Sequence, residues 1–306
     1  MPFAALLFAA VSVAFPRDGA KLPFLERSYI IGAVGKGETN VVVQGRSVPV
    51  YRTGAWATTV DLAEGSNTVE VVSASGEKLK VVYHVAKKPS PAKASAAGTP
   101  KKLKKLSYAA DEAKDPPTNR PPSEVTIVID AGHGGDDTGA LSPHGHFEKD
   151  ANLKMARCVR DELTALGYRA VMTREDDRPI PLYDRPKVAH RARADAFVSI
   201  HHNAPPLHAD ALNLRYHAVY AWNDIGRNLA RSVNERMAAA LGDDLKDNGV
   251  ISANFVVVRN PEIPSCLIEV DFITDPAGEE DSWSGPRRIF IAKAIARGIA
   301  AWCSGK

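Results

Sequence analysis

The sequence predicts an α/β domain with a mostly parallel mixed sheet flanked by helices, preceded by a small all-β sandwich. From residue 124 onward, apolar runs of strand length alternate with segments in which apolar residues recur every three or four positions. This alternation is typical of α/β sheets. Before residue 88, short alternating runs recur between glycine-containing turns, which is typical of a small sandwich. The length of 306 residues allows two domains of ordinary size.

The beginning of the chain has two interpretations. Residues 1–14 (MPFAALLFAAVSVA) resemble the apolar region of an export signal, although the usual basic residues before it are missing. Alternatively, VSVAF forms the first strand of an all-β unit over residues 11–87, here called the β module. Six further runs predict its other strands: SYIIGAV, NVVVQG, SVPVYR, WATTVDL, NTVEVVS and LKVVYHV. The pattern resembles the immunoglobulin-like or fibronectin-like modules of bacterial surface enzymes, and it contains no catalytic constellation.

Residues 88–123 predict a flexible linker, because they are rich in Pro, Ala, Lys and Ser and lack apolar periodicity. Seven lysines and no acid fall between residues 87 and 105, so most of the positive charge is local. A solvated, self-repelling linker is the simpler interpretation. The alternative is contact with an anionic wall polymer. A nucleic-acid partner is not expected, since no basic and aromatic patch accompanies the candidate site described below.

The α/β pattern over residues 124–306 begins with a continuous apolar run, residues 125–130 (VTIVID), typical of a strand covered on both faces. Residues 152–166 predict a helix that ends at Gly167, and residues 168–172 predict the next strand. A helix over 182–195, a strand over 196–200 (AFVSI) and a helix over 225–241 follow. Strands over 255–258 and 265–270 precede a closing helix over 286–302, with Ser284 near its cap.

Polar residues stand at the ends of the predicted core strands. His133 follows the first strand by two residues, His201 directly follows AFVSI, and Glu269 lies near the end of SCLIEV. Because ligands of open α/β sheets bind outside the carboxyl ends of the strands, we expect these side chains to meet at one edge. Glu148 lies where the loop after the first strand enters its helix, so it can reach the same edge.

Two imidazoles and one carboxylate are a common catalytic zinc set that leaves a fourth position for water. We therefore predict one Zn²⁺ ion bound by His133, Glu148 and His201. A further carboxylate must then carry the proton, and Glu269 suits this role. Its apolar neighbours in the strand are expected to raise its pKa and make it a better base.

Simpler interpretations of the same residues are also open. The Gly-rich loop around His133 is compatible with phosphate binding, but the G-K-[ST] and G-x-G-x-x-G patterns are missing. His201 is compatible with a core position at a strand end. Glu148 is compatible with a plain helix N-terminal acid, in which case His144 or His146 becomes the substitute ligand. Glu269 is compatible with a structural ion pair to an arginine.

The three cysteines, Cys158, Cys266 and Cys303, lie in apolar patterns and are predicted to be small core residues. One disulfide is an alternative that spacing does not decide. Cys266 as a nucleophile would need an adjacent base that the pattern does not supply.

The motifs in their order resemble the zinc-dependent N-acetylmuramoyl-L-alanine amidases of the type 3 amidase family. They are IVIDAGHGGDDTGA, HFEKDANL, MTREDD, ADAFVSIHHNA and PSCLIEVDFITDP, within residues 125–302. The resemblance implies His133, Glu148 and His201 as ligands of a single zinc ion and Glu269 as the catalytic residue. It also implies peptidoglycan as the substrate, cleaved at the amide between N-acetylmuramic acid and the L-alanine of the stem peptide.

Asn203 and His202 are further candidates for substrate contact, or in the case of His202 for support of the metal ligands. Asp271 stands where the family pattern Glu-x-Gly-Phe-Ile-x-Asn has glycine, so altered substrate fit or an altered pKa of Glu269 is expected. The family segment after the second histidine is degraded over residues 214–221.

Some relatives carry a helical insertion that plugs the zinc cleft. Here about 17 residues separate Asn203 from Tyr220, so we expect a site that is open without an activator. An enzyme of this kind is expected to be exported to the periplasm or cell envelope and to be a monomer. The rival functions are a wall-binding protein with weakened catalysis and a zinc peptidase acting on another wall amide.

Overall fold

The computed structural model describes residues 11–89, 116–208, 214–260 and 262–305. The apolar segment before Val11 and most of the predicted linker, with its lysine tract, lie outside these ranges. No helix in the described ranges has the length and apolar character needed to cross a membrane.

The β module consists of two sheets, and each predicted run forms a strand. The three-stranded sheet has the order β1-β3-β6 and the five-stranded sheet the order β2-β8-β7-β4-β5. VSVAF is a strand, as the second interpretation of the N-terminal residues predicts. The strands are β1 (Val11–Phe15), β2 (Lys21–Leu22), β3 (Arg27–Val34), β4 (Asn40–Val43), β5 (Arg46–Pro49), β6 (Ala55–Asp61), β7 (Gly65–Ser73) and β8 (Lys78–Val85).

The two sheets of the β module enclose an apolar core. Ile30, Trp56 and Val60 of the smaller sheet pack against residues such as Val69 and Tyr83 of the larger one. Because side chains alternate across a strand, the neighbours of these residues point to the outer face of the smaller sheet. That outer face is also apolar and buried.

The α/β part, from residue 122 onward, alternates strands and helices as expected. Its strands are β9 (Thr126–Ala131), β10 (Arg169–Met172), β11 (Ala196–Asn203), β12 (Tyr216–Ala221), β13 (Lys246–Ser252) and β14 (Ser265–Phe272). Its helices are α1 (Glu148–Ala165), α2 (Arg185–Ala192), α3 (Asp224–Leu241), α4 (Pro276–Trp283) and α5 (Gly285–Cys303).

These six strands form one sheet in the order β10-β9-β11-β14-β12-β13. All neighbouring pairs are parallel except β12 with β14, which are antiparallel. The predicted mostly parallel mixed sheet is therefore confirmed. Because β9, β11 and β14 are adjacent and parallel, their carboxyl ends meet at one edge in the centre of the sheet.

Helices cover both faces of this sheet. On one face α1, α3 and α5 pack together over the apolar strand residues, as in the contacts of Met155, Met237 and Ile295 with Ile129 and Ile268. On the other face a smaller cluster forms around Phe197. The helix α5 begins after Ser284 with a proline in its first turn, as its sequence predicts.

Two predicted elements differ from the structure. The predicted strand over 255–258 is wrong, because Val256–Val258 forms a 3₁₀ turn. Val257 and Val258 pack beside Phe197 on the second face of the sheet, so their apolar character serves burial and not strand pairing. The predicted helix over 182–195 is shorter, with a 3₁₀ turn at Leu182–Asp184 before α2.

The cysteines agree with the first interpretation, in which they are small residues of the apolar core. Cys266 and Cys303 are buried, Cys158 is half-buried, and all three are free thiols. The alternative of one disulfide is therefore not realised in this structure.

Candidate active site

The candidate site lies at the carboxyl edge of the three central strands. His201 is in register with Glu269 on the neighbouring strand β14, and Ala131 at the end of β9 is in register with Ile200. His133 follows Ala131 by two residues in a left-handed conformation, with φ of 60°. The sheet thus brings together residues that are far apart in sequence, as expected from the edge rule for open α/β sheets.

His133, Glu148 and His201 form a group that can hold a metal ion. One ligand atom from each lies within 4.8 Å of the others. One carboxylate oxygen, Oε1 of Glu148, lies 3.1 Å from Nε2 of His133 and 3.1 Å from Nδ1 of His201. Two nitrogen donors and one oxygen donor around one point are a set that zinc prefers. The residues of this chain therefore fit a zinc ion.

Glu148 is buried at the first position of α1, and its environment favours the ionised form. Burial by itself raises the pKa of Glu148, but hydrogen bonds and charge interactions with His133 and His201 outweigh burial and hold the pKa well below its usual value. Its second oxygen, Oε2, accepts a hydrogen bond of 3.0 Å from the backbone N–H of Ala140. A permanently negative carboxylate is the state that a cation requires.

Asn152 and His202 form hydrogen bonds that support Glu148. Asn152 Nδ2 donates to Oε1 of Glu148 at 3.1 Å, and Asn152 Oδ1 lies 2.8 Å from Nδ1 of His202. His202 is only 2% exposed and is not among the residues that line the neighbouring cavity. Of the two roles considered for His202, the structure therefore favours support of the ligands over substrate contact. Burial lowers the pKa of His202 to about 4, so the ring is neutral at pH 7.

Buried arginines hold the loop that carries His133. Arg185 donates to the carbonyl oxygen of His133 at 2.8 Å and to Asp130 at 2.9 Å. Arg174 donates to the carbonyl oxygens of Ala131 and Gly132, both at 2.9 Å. These contacts fix the backbone on both sides of the histidine, which a loop that presents a ligand requires.

The catalytic candidate Glu269 is almost enclosed. Its Oε2 has no hydrogen-bond partner among the described residues, and no arginine pairs with it in the same ranges. Burial raises the pKa of Glu269 to about 7, against the opposing effect of His201. An unpaired carboxyl group with this pKa can both accept and donate a proton near neutral pH, which general acid–base catalysis needs.

A cavity of about 540 Å³ opens beside these residues. Its polar lining residues are His133, Asp137, Arg185, His201, Asn254 and Glu269. Its apolar lining residues are Ile180, Leu182, Phe255, Val256, Val257 and Leu267. A cleft with apolar walls and a few converging polar groups is typical of a small-molecule or polymer-end binding site.

Asn203 and Asp271 lie close to the site, but both side chains have partners elsewhere. Asn203 Oδ1 accepts a hydrogen bond from the backbone N–H of Ala204 at 2.8 Å. Asp271 is fully buried and forms a two-pronged ion pair with Arg215, with Nη2–Oδ2 at 2.7 Å and Nε–Oδ2 at 3.0 Å. The Asp271 carboxylate is thus bound to Arg215, and Asp271 is not among the residues that line the cavity.

A second polar cluster lies next to the site. Glu279 of α4 accepts hydrogen bonds from both histidines of the loop before α1, at 2.7 Å from Nδ1 of His144 and 2.9 Å from Nδ1 of His146. The His146 ring also stacks on Trp283 with centroids 4.4 Å apart. These histidines hold the loop in place and are not ligands of the His133–Glu148–His201 group.

This cluster predicts a pH dependence of stability. Burial raises the pKa of Glu279, but hydrogen bonds from His144 and His146 outweigh it and lower the pKa to about 2. A depressed acid pKa means a stabilisation that is present above pH 4.5 and is lost as the pH falls toward about 2. The shift corresponds to about 3 kcal/mol. The hydrogen bond to Glu279 raises the pKa of His144. The stabilisation from His144 is therefore fully present below pH 6.5 and is lost as the pH rises through the raised pKa.

Urea unfolding of the wild type and of Glu279→Gln over a pH series tests this. The stability difference is expected to be largest between pH 4.5 and 6.5 and to shrink toward pH 2. A difference that is constant with pH would contradict the assignment.

Gly132 has a packing role that predicts a sharp effect. A Cβ atom at this position would lie 2.2 Å from Nε2 of His201. Gly132→Ala is therefore expected to displace the imidazole and to weaken metal binding by about 10-fold or more, comparable to the loss of a residue that orients a ligand. Gly285→Ala is the control, since nothing lies within 4 Å of its added Cβ. Zinc titration with a competing chelator measures both, and wild-type affinity in Gly132→Ala would exclude this contact.

Sequence reasoning missed the residues that orient the candidate ligands. Asn152 lies one helical turn after Glu148, so a polar residue at this spacing on an otherwise apolar face was a readable signal. Arg174 and Arg185 give no such signal, because their partners near His133, mostly backbone carbonyls, lie more than forty residues away in the sequence.

Comparison with known proteins agrees with this geometry. Residues 127–301, more than half of the chain, match the family profile described as N-acetylmuramoyl-L-alanine amidase. The chain is 33% identical over 220 residues to N-acetylmuramoyl-L-alanine amidase AmiC of Neisseria meningitidis, a match that covers 56% of this chain and 51% of that protein.

Solved structures show the same similarity. The amidase AmiC2 of Nostoc punctiforme is 35% identical, with a TM-score of 0.54 and coverage of 58% of this chain and 96% of that one. The catalytic domain of the amidase CwlV from Bacillus (Paenibacillus) polymyxa var. colistinus is 32% identical, with a TM-score of 0.55 and coverage of 60% and 99%. The resemblance drawn from the sequence motifs is confirmed, and the chain belongs to the N-acetylmuramoyl-L-alanine amidase family.

Proposed function

We propose that this amidase hydrolyses the bond between N-acetylmuramic acid and the L-alanine of the peptidoglycan stem peptide with one zinc ion held by His133, Glu148 and His201. The observation that carries the proposal is the convergence of these three ligand atoms within 4.8 Å at the cleft that Glu269 lines. The family assignment supports the bond that is cleaved, since the matched profile and the compared relatives carry the amidase description.

Zinc, when bound, acts as a Lewis acid on the scissile carbonyl and lowers the pKa of water from about 15.7 toward about 7. Glu269 accepts the proton of the attacking water, for which its unpaired oxygen and raised pKa suit it. Glu269 then delivers this proton to the departing amine of L-alanine. Glu148 keeps its negative charge throughout, since its pKa lies well below the usual value.

The cavity supports a sugar-linked substrate. Leu182 and Phe255 are exposed among the residues that line the cavity, and the Phe255 ring lies 5.4 Å from the ring of Tyr220. Apolar and aromatic side chains of this kind suit the lactyl group and the faces of a sugar ring, and the amide is expected to lie at His133, His201 and Glu269.

The decisive experiment is mass spectrometry of purified peptidoglycan digested by the full chain with and without a zinc chelator. Free stem peptides beginning with L-alanine, and glycan strands with intact lactyl groups, are expected only without the chelator. Cleavage within the stem peptide would support the alternative of a zinc peptidase. Retention of the chain on the wall without any released product would support the alternative of a wall-binding protein.

Four further features of the protein are proposed from the same reasoning: its domain division, its export, its monomeric state and a contact of its linker. Residues 11–87 form the β module, 88–123 the linker and 124–306 the catalytic domain. Since its substrate lies outside the cytoplasm, the enzyme is exported to the periplasm or cell envelope. The enzyme acts as a monomer whose lysine-rich linker contacts anionic wall polymers. Sedimentation of the purified chain tests the monomeric state. Fractionation of the host cell tests the export.

A further inference from the structure

We infer that the β module positions the two segments that carry Glu148 and His201, and so acts on catalysis itself and not only as an anchor. This inference rests on the proposed function for the identity of the ligands. It begins with the outer face of the smaller sheet. Tyr29, Ile31 and Ala57 lie on that face, and Ile31 is 0% exposed. The outer face of a two-sheet module ordinarily contacts water and is polar.

Leu207 of the α/β part covers this face. It packs against the cluster of Tyr29, Ile31 and Ala57, and its carbonyl oxygen accepts a hydrogen bond of 3.1 Å from the backbone N–H of Tyr29. A backbone hydrogen bond together with a half-buried apolar contact defines both the position and the direction of the segment. The loop after β11 is thereby attached to the β module.

This attachment reaches the candidate ligand His201 through a stiff connection. Pro205 and Pro206 stand between Asn203, the last residue of β11, and Leu207. Each proline fixes its own φ near −65° and narrows the choices of the residue before it. The place of Leu207 on the β module therefore restricts where β11 ends, and with it the place of His201.

A second connection runs through α4 to the loop before Glu148. Arg52 of the β module donates to both carboxylate oxygens of Glu280, at 3.0 and 2.9 Å. The preceding residue, Glu279, binds His144 and His146. The loop before Glu148 is thus attached to the β module through α4.

The two connections differ in expected strength. Arg52 is 73% exposed, so its ion pair is screened by solvent and is expected to be the weaker connection. Leu207 is half-buried against the apolar face, so its contact is expected to be the stronger one. Small displacements matter at such a site, because a shift of about 1 Å can cost about 100-fold in rate.

The test uses the full chain and a soluble N-acetylmuramoyl-L-alanyl peptide, which needs no anchoring to a wall. Leu207→Asp places a charge on the apolar face and is expected to lower kcat by about 10-fold or more with little change in KM. It is also expected to speed the loss of zinc to a colorimetric chelator. Ile289→Asp, an exposed apolar position on α5, is the matched control and is expected to behave as wild type.

A charge-reversal series keeps the inference testable if Leu207→Asp does not fold. Arg52→Glu is expected to lower kcat and zinc retention by about 2- to 5-fold. This small effect matches the weak interaction expected of one exposed ion pair. The double variant Arg52→Glu/Glu280→Arg is expected to restore both. Arg46→Glu, which affects a pair with Asp61 inside the β module, is the control.

Wild-type kcat and zinc retention in Leu207→Asp and Arg52→Glu, with losses only on intact walls, would overturn the inference in favour of an anchor. Failure of the wild type to cleave the soluble peptide would instead count against the proposed function. The rate of zinc loss would still decide whether the β module positions the ligands.

Discussion

Replacement of Glu269 by glutamine is expected to remove turnover while zinc stays bound. The side chain lines the cavity beside His133 and His201 but is not a member of the three-residue ligand group. Glutamine keeps the shape of the side chain and cannot carry a proton. Because a positioned general acid–base contributes about 10²- to 10⁴-fold, kcat is expected to fall by at least that range. Zinc content by elemental mass spectrometry should equal that of the wild type.

The same variant is expected to be slightly more stable in its zinc-free form. Burial raises the pKa of Glu269 from 4.5 to about 7, so its ionisation destabilises the folded state progressively as the pH rises from 4.5 to about 7, and the whole cost is present at pH 8. A neutral amide avoids this cost, and the melting temperature of the zinc-free variant is expected to equal or exceed that of the wild type at pH 8. Glu235→Gln, an exposed change on α3, is the control. Normal turnover in Glu269→Gln would exclude Glu269 as the proton carrier.

The position of the candidate site was predictable because it depends on the most regular part of the sheet. The strands that lead to His133, His201 and Glu269 are continuous apolar runs, which identify central strands covered on both faces. Once the strands are central and parallel, the carboxyl-edge rule requires their ends to meet. The register of His201 with Glu269 shows this directly.

Edge strands and short helices were not predictable in the same way. β13 is a mostly polar segment, KDNGVIS, at the edge of the sheet, where little burial is available to impose an apolar alternation. α4 carries no clear apolar face, since its sequence is PAGEEDSW. Its importance comes from Glu279 and Glu280, whose partners His144 and Arg52 are more than a hundred residues away. Contacts at such separations leave no local signal.

Asp271 shows how a local departure from a motif is explained only in three dimensions. In the sequence it adds a charge two residues after Glu269. In the structure the charge is buried and balanced by Arg215, which also contacts Asp281 at 2.8 Å. Arg215 lies 56 residues before Asp271 in the sequence, so no local pattern shows that the charge is balanced.

Replacement of Glu148 by glutamine is expected to remove both zinc and turnover. The carboxylate is the negative member of the ligand group, and its Oε1 lies 3.1 Å from a nitrogen of each imidazole. A neutral amide leaves two imidazoles without a charged third donor, and zinc affinity should fall by well over the roughly 10- to 100-fold that loss of a supporting residue costs. Asp150→Asn, which removes a charge from the same helical turn, should keep zinc and activity.

The comparison of Glu148→Gln with Glu269→Gln separates binding from chemistry. Both changes remove one buried carboxylate next to the same two imidazoles, so a general loss of charge would affect zinc equally in both. Different zinc contents after dialysis, with equal loss of turnover, would require distinct roles for the two glutamates. Retention of zinc by Glu148→Gln would mean that another group completes the site, and Asp137, 2.9 Å from Nδ1 of His133, would be the first to examine.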